Sequence, residues 1–99
     1  MPEWYVCSLN RAGILAEEYT SRFPAPTVNL TMTDTADPPA FQDEWFISVA
    51  SVQDQVLAVA LGAVSTRSQV NGYLDLPSEE GGEWFPGVCY GLEVMLTRT

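Results

Sequence analysis

The 99 residues make one domain, 1–99, and are too few for two. Thirteen Asp and Glu stand against four Arg, with no Lys and no His, for a net charge of -9. That charge repels phosphate backbones and anionic bilayers, so direct nucleic-acid binding and membrane docking are not expected.

Glu3 to Leu9 is rich in aromatic and β-branched residues and reads as a strand, followed by a turn signal at Asn10-Arg11-Ala12-Gly13. Ile14, Leu15, Tyr19 and Phe23 recur at helical spacing, with Glu17, Glu18 and Arg22 on the other side. A short amphipathic helix over Ile14–Phe23 follows, ended by Pro24 and Pro26. Thr27–Thr33 alternates with period two and reads as a half-buried strand. Asp34 to Pro39 is a loop by composition, since Pro38 and Pro39 cannot donate to a ladder, and it is the expected exposed, flexible element.

Trp45–Val52 is a second clear strand, separated by Gln53-Asp54-Gln55 from Val56–Val64. In that run Leu57, Val59 and Leu61 alternate with Ala58, Ala60 and Gly62, which favours a strand in a hairpin. Its alanines suit a helix, and Ser51 with Asp54 resembles a weak capping box. Val70–Leu76 reads as a strand, Pro77–Gly82 as an acidic Gly-rich loop, and Val88–Thr97 as a closing strand. The sum is a mostly β domain with at most one or two short helices: a small sandwich, a barrel, or an antiparallel sheet with a helix packed on it.

The N-terminus, Met1-Pro2-Glu3, shows no basic region before an apolar run, and Val56–Val64 is too short to span a bilayer. The expected setting is a reducing cytoplasm or a particle assembled there. Cys7 and Cys89 are then buried free thiols, near each other if the terminal strands pair.

Catalytic options are few. Without His there is no Ser–His or Cys–His pair, and without Lys there is no Schiff base. Gly81-Gly82 lacks the Lys and Ser/Thr of a phosphate loop. The carboxylate pairs Glu17/Glu18, Asp43/Glu44 and Glu79/Glu80 are adjacent in sequence, so on strands they point to opposite faces. Asp34, Asp37 and Asp43 fit no calcium-loop spacing. No catalytic residue, metal site or cofactor is expected.

The three Trp share one context: Glu3-Trp4-Tyr5, Glu44-Trp45-Phe46 and Glu83-Trp84-Phe85. Each reads as a strand start, with one ring entering the core and the other near the surface. The outward rings are candidate interface anchors.

The middle of the chain carries a resemblance. Asp37-Pro38-Pro39-Ala40-Phe41 leads to Asp43-Glu44-Trp45-Phe46-Ile47-Ser48-Val49. Leu61-Gly62-Ala63, Thr66-Arg67, Asn71-Gly72-Tyr73-Leu74-Asp75-Leu76-Pro77 and Glu80-Gly81-Gly82 follow. This resembles the tail-terminator proteins of tailed bacteriophages over residues 14–82. It departs from them in leaving little chain for a second helix after Gly82 and in carrying an extra strand at Glu3–Leu9. The resemblance implies a structural component of a virion, assembled in the host cytoplasm. That class spans tail terminators, head–tail adaptors and capsid cement or decoration proteins. The implied partners are capsid or tail subunits and the chain itself as a homo-oligomer. The rival reading is an acidic inhibitor, either a nucleic-acid mimic or an immunity protein. Interface candidates are Asp34, Asp37, Pro38, Pro39, Phe41, Asp43, Glu44, Trp45, Arg67, Glu79, Glu80, Trp84 and Phe85.

Overall fold

The computed structural model describes residues 1–15 and 26–94. Its main body is a closed barrel of five strands in the order β1 (Glu3–Leu15), β2 (Thr27–Asp34), β3 (Glu44–Ser48), β7 (Gly87–Val94) and β4 (Gln69–Asp75). β4 pairs back onto β1. A two-stranded hairpin, β5 (Ser78–Glu80) and β6 (Glu83–Phe85), is inserted between β4 and β7. The mostly β expectation holds, and the barrel is the architecture found.

One long strand closes the barrel. Glu3–Ser8 pairs with β4 and Cys7–Leu15 pairs with β2, with the register shifting between Leu9 and Arg11. A bulge there lets a single strand bend around a barrel corner. The turn expected at Asn10–Gly13 is therefore continuous strand. Ile14 and Leu15 belong to β1 and not to a helix, and the rest of the expected helix lies outside the described residues. The end of the last expected strand, 95–97, lies outside them as well.

β3 and β7 run parallel, which requires a crossover between them. It consists of a 3-10 turn (Ala50–Val52), helix α1 (Gln53–Thr66), β4 and the hairpin. A Greek-key barrel of five strands with a helix between its third and fourth is the connectivity of OB-type barrels.

α1 corrects two expectations. Val56–Val64 is helical, not a strand, and the Trp45–Val52 strand stops at Ser48. Val56, Ala60 and Ala63 are its buried residues, on one stripe at helical spacing. Leu61 and Val64 stay exposed. Small residues let α1 lie close over β1, β7 and β2, and they leave little large-residue periodicity to read. Asp54 sits in the first turn, where a carboxylate favours the helix dipole. The helix ends with Arg67 in the left-handed region (φ 54°), with Ser68 N donating to Ala63 O at 3.0 Å.

The core gathers Cys7, Leu30, Met32, Phe46, Val70, Leu74 and Cys89 inside the barrel. Both thiols are free and buried. Burial, with Asp34 and then Cys89 nearby, pushes the Cys7 thiol up to about 12. Burial pushes Cys89 up to about 11. At the parallel seam Gly87 faces Phe46: a Cβ there would clash with the Phe46 ring and lie 2.8 Å from the Asp75 carbonyl. Only glycine fits that approach.

Candidate functional site

The loop between β2 and β3 is exposed over residues 35–38, as expected, and hydrogen bonds hold it at its base. The Asp34 carboxylate is buried and accepts Ala36 N at 3.2 Å and Ala40 N at 2.7 Å. Asp34 N donates to Phe41 O at 3.0 Å. Phe41 is only 6% exposed and plugs the barrel, edge-on to Tyr5 at 5.4 Å and to Phe46 at 5.1 Å. Asp34 and Phe41 thus build the loop, while Asp37 and Pro38 are its exposed tip and Pro39 is half-buried.

Asp43 sits in the left-handed region (φ 49°), which Asp tolerates better than most residues. Asn10, the extra residue of the β1 bulge, donates to Asp43 Oδ1 and to Thr33 Oγ1, each at 3.1 Å. The bulge thereby ties β1 to β2 and to the start of β3. Arg67 is exposed at the end of α1 and shares an open cavity of about 310 Å³ with Ser8, Asn10 and Gln69.

All three Glu-Trp pairs start strands: β1, β3 and β6. Trp4 is 52% and Trp84 43% exposed, whereas Phe46 is fully buried. Trp45 and Trp84 stack on each other at 6.3 Å and 20°. That contact packs the hairpin against β3. Glu79, Glu80 and Glu83 are exposed on the hairpin around Gly81 (φ 59°) and Gly82 (φ 78°), while Phe85 is half-buried.

A second aromatic group lies on the outer surface of β1, β4 and β7. Trp4 meets Tyr73 at 5.0 Å, and Tyr73 meets Tyr90 at 6.3 Å. Trp4 and Tyr73 are paired across β1 and β4, so they share a face. The register of β4 on β7 shifts between Tyr73 and Leu74, and Tyr90 is the extra residue there. Such a bulge re-aims a side chain, and here it sets Tyr90 beside Tyr73 with its hydroxyl donating to Asp75 Oδ2 at 3.0 Å. Tyr73, Tyr90 and Asp75 were not among the sequence candidates. Tyr73 was legible as an outward position of an alternating strand, but the bulge that brings Tyr90 to it was not.

Next to Asp75 opens a cavity of about 510 Å³, lined among others by Glu3, Tyr5, Glu80 and Val88. Burial and then Glu3 push the Tyr5 phenol pKa upward. Among the described residues no group of three or more His, Cys, Asp or Glu is placed to hold a metal ion. No helix among them is long and apolar enough to cross a membrane.

OB-type barrels bind oligonucleotides and oligosaccharides across strands 2 and 3 and the adjoining loops. Here that region carries Trp45 and Trp84 but is flanked by Asp43, Glu44, Glu79, Glu80 and Glu83. Those carboxylates would repel the phosphates of a nucleic acid. Fold alone does not assign the function. No protein-family model, no curated protein and no solved structure matches the chain.

Proposed function

We propose that this chain is a non-enzymatic structural component that works through protein–protein contacts, in the setting its resemblance implies, a bacteriophage virion. The observation that carries the contact role is the set of large rings held outward on rigid strands. Trp4, Trp84 and Tyr90 are 52%, 43% and 38% exposed. Aromatic anchors presented on a preorganised scaffold lose little entropy on docking, which is why such residues dominate interface energetics. The carboxylates around them keep the free subunit soluble and discourage early self-association.

The virion setting rests on the sequence resemblance. It includes tail terminator, head–tail adaptor and capsid cement protein, with homo-oligomers on the particle. Size-exclusion chromatography with light scattering, alone and with purified capsids or tails, tests it. A closed ring or particle-bound chain is expected. A monomer that binds neither capsids nor tails removes this reading.

A second reading, an acidic inhibitor, is favoured by the hairpin. Glu79, Glu80 and Glu83 are exposed on a short two-stranded hairpin, a concentration of carboxylates that a basic groove would accept. Binding to a basic enzyme, lost steeply with added salt, is its signature.

A further inference from the structure

The Trp4–Tyr73–Tyr90 surface has a specific chemistry, and the partner it fits follows from it. Trp4 and Tyr90 remain 52% and 38% exposed on the outer face of the barrel. Asp75 sits at their edge, holding the Tyr90 hydroxyl. Glu93 is exposed further along β7, opposite Asn71 and so on the same face as Tyr73. The strands β4 and β7, as described, contain no basic residue. Arg11 of β1 lies beyond the bulge, paired with Thr31 of β2, away from the rings. The face is therefore aromatic at its centre and anionic at its rim.

A second copy of the chain is a poor occupant. Two molecules of net charge -9 would bring like carboxylate rims together. A cationic occupant satisfies both features at once. A guanidinium is planar and weakly hydrated, so it stacks on Trp and Tyr rings while its N–H fork pairs with a carboxylate. The cavity beside Asp75, about 510 Å³ and walled in part by Glu3 and Glu80, leaves room for a long side chain entering from that edge. The N-terminal ammonium lies 3.6 Å from Asp75 Oδ1, in an exposed pair that such a side chain displaces at little cost.

We infer that the Trp4–Tyr73–Tyr90 face, with Asp75 at its rim, docks an arginine-bearing segment of a protein partner. This rests on the protein-contact reading above and names the partner's chemistry.

The test uses the full chain labelled with ¹⁵N and a six-arginine peptide as probe, with a six-glutamate peptide as the control. The indole N–H signals of the three Trp report the site directly. The Trp4 signal is expected to shift saturably, and the Trp84 signal to stay in place. Trp4→Ala is expected to weaken binding about tenfold and Asp75→Asn about fivefold, consistent with loss of a cation–π contact and a charge-assisted pair. Glu79→Gln removes the same charge from the hairpin and is expected to change affinity less than twofold. Spectra with unchanged dispersion verify that each variant is folded. Equal losses for Asp75→Asn and Glu79→Gln, or a Trp4 signal that does not move, overturn the inference and leave only diffuse attraction to an acidic protein. Dimers that Trp4→Ala dissolves also overturn it, assigning the face to a second copy. The two proposals fail separately. A chain that enters particles while its Trp4 signal ignores the peptide keeps the virion reading and loses this one. Saturable docking at Trp4 by a chain that binds no particle does the reverse.

Discussion

Phe41→Ala separates a core plug from a surface anchor. Phe41 is 6% exposed and makes edge-on contacts with Tyr5 at 5.4 Å and Phe46 at 5.1 Å. Truncating a buried Phe costs about 3–5 kcal/mol through lost transfer energy and the cavity left behind. Small domains hold only about 5–15 kcal/mol in total, so this one change removes a large share. At an m-value of roughly 1.5 kcal/mol per M, the urea midpoint falls by about 2–3 M. The melting temperature falls by about 12–40 °C, given about 4–8 °C per kcal/mol at this size. Urea titration followed by far-UV circular dichroism and by Trp fluorescence measures both the loss and the coincidence of the two probes. Phe41→Leu should recover more than half of the loss. A loss below about 1 kcal/mol refutes the plug and returns Phe41 to the list of interface residues.

Other outcomes follow from the same geometry. Gly87→Ala drives a methyl into the Phe46 ring and the Asp75 carbonyl, and is expected to destabilise by at least about 2 kcal/mol in the same titration. A change under about 0.5 kcal/mol contradicts the close seam. Arg67→Gly relieves a left-handed cap and should raise stability by about 0.5–1 kcal/mol; a loss would show that the arginine side chain matters to the fold. Cys7 and Cys89 stay neutral in the folded state to about 12 and 11, while unfolded thiols ionise near about 8.5. Their stabilising effect is complete below about pH 8.5 and is lost as pH rises towards 11, at up to about 1.4 kcal/mol per pH unit for each thiol. Urea midpoints at pH 8 and 10 should therefore diverge less in the Cys7→Ala/Cys89→Ala double variant, and an equal divergence would refute the assignment. Single-stranded oligothymidine should not bind at about 150 mM salt; saturable quenching of Trp fluorescence would contradict the expectation that the net charge excludes nucleic acid.

The β character of the chain was legible because Val28, Leu30 and Met32 alternate cleanly and become three inward positions of β2. The Glu-Trp pairs were legible as strand starts because an acidic edge residue followed by two rings marks a strand with one face in the core. Residues 56–64 were misread for a physical reason. The buried stripe Val56, Ala60, Ala63 is small, so the larger residues between them imposed a false period of two. Asn10-Arg11-Ala12-Gly13 looked like a turn but serves as a bulge within β1, a choice decided by barrel closure and not by local propensity.

The candidate site was only half legible. Of the acidic candidates, Asp43, Glu79 and Glu80 are exposed and Glu44 is half-buried. Local acid density could not show that Trp45 and Trp84 would stack across β3 and the hairpin. Asp34 and Phe41 were drawn to the surface by their Pro-rich neighbours, yet the loop folds back because a buried carboxylate can satisfy the amides of Ala36 and Ala40. The Trp4–Tyr73–Tyr90 group joins residues from three strands far apart in sequence, so no local window contains it.

Quantitative mass spectrometry of purified particles produced by the genome that encodes this chain tests the central claim most directly. The expected result is the chain at many copies per particle, in fixed ratio to a capsid or tail subunit and retained through a density gradient. Its absence from particles, with the chain recovered on a basic host enzyme, contradicts the structural role and supports the inhibitor.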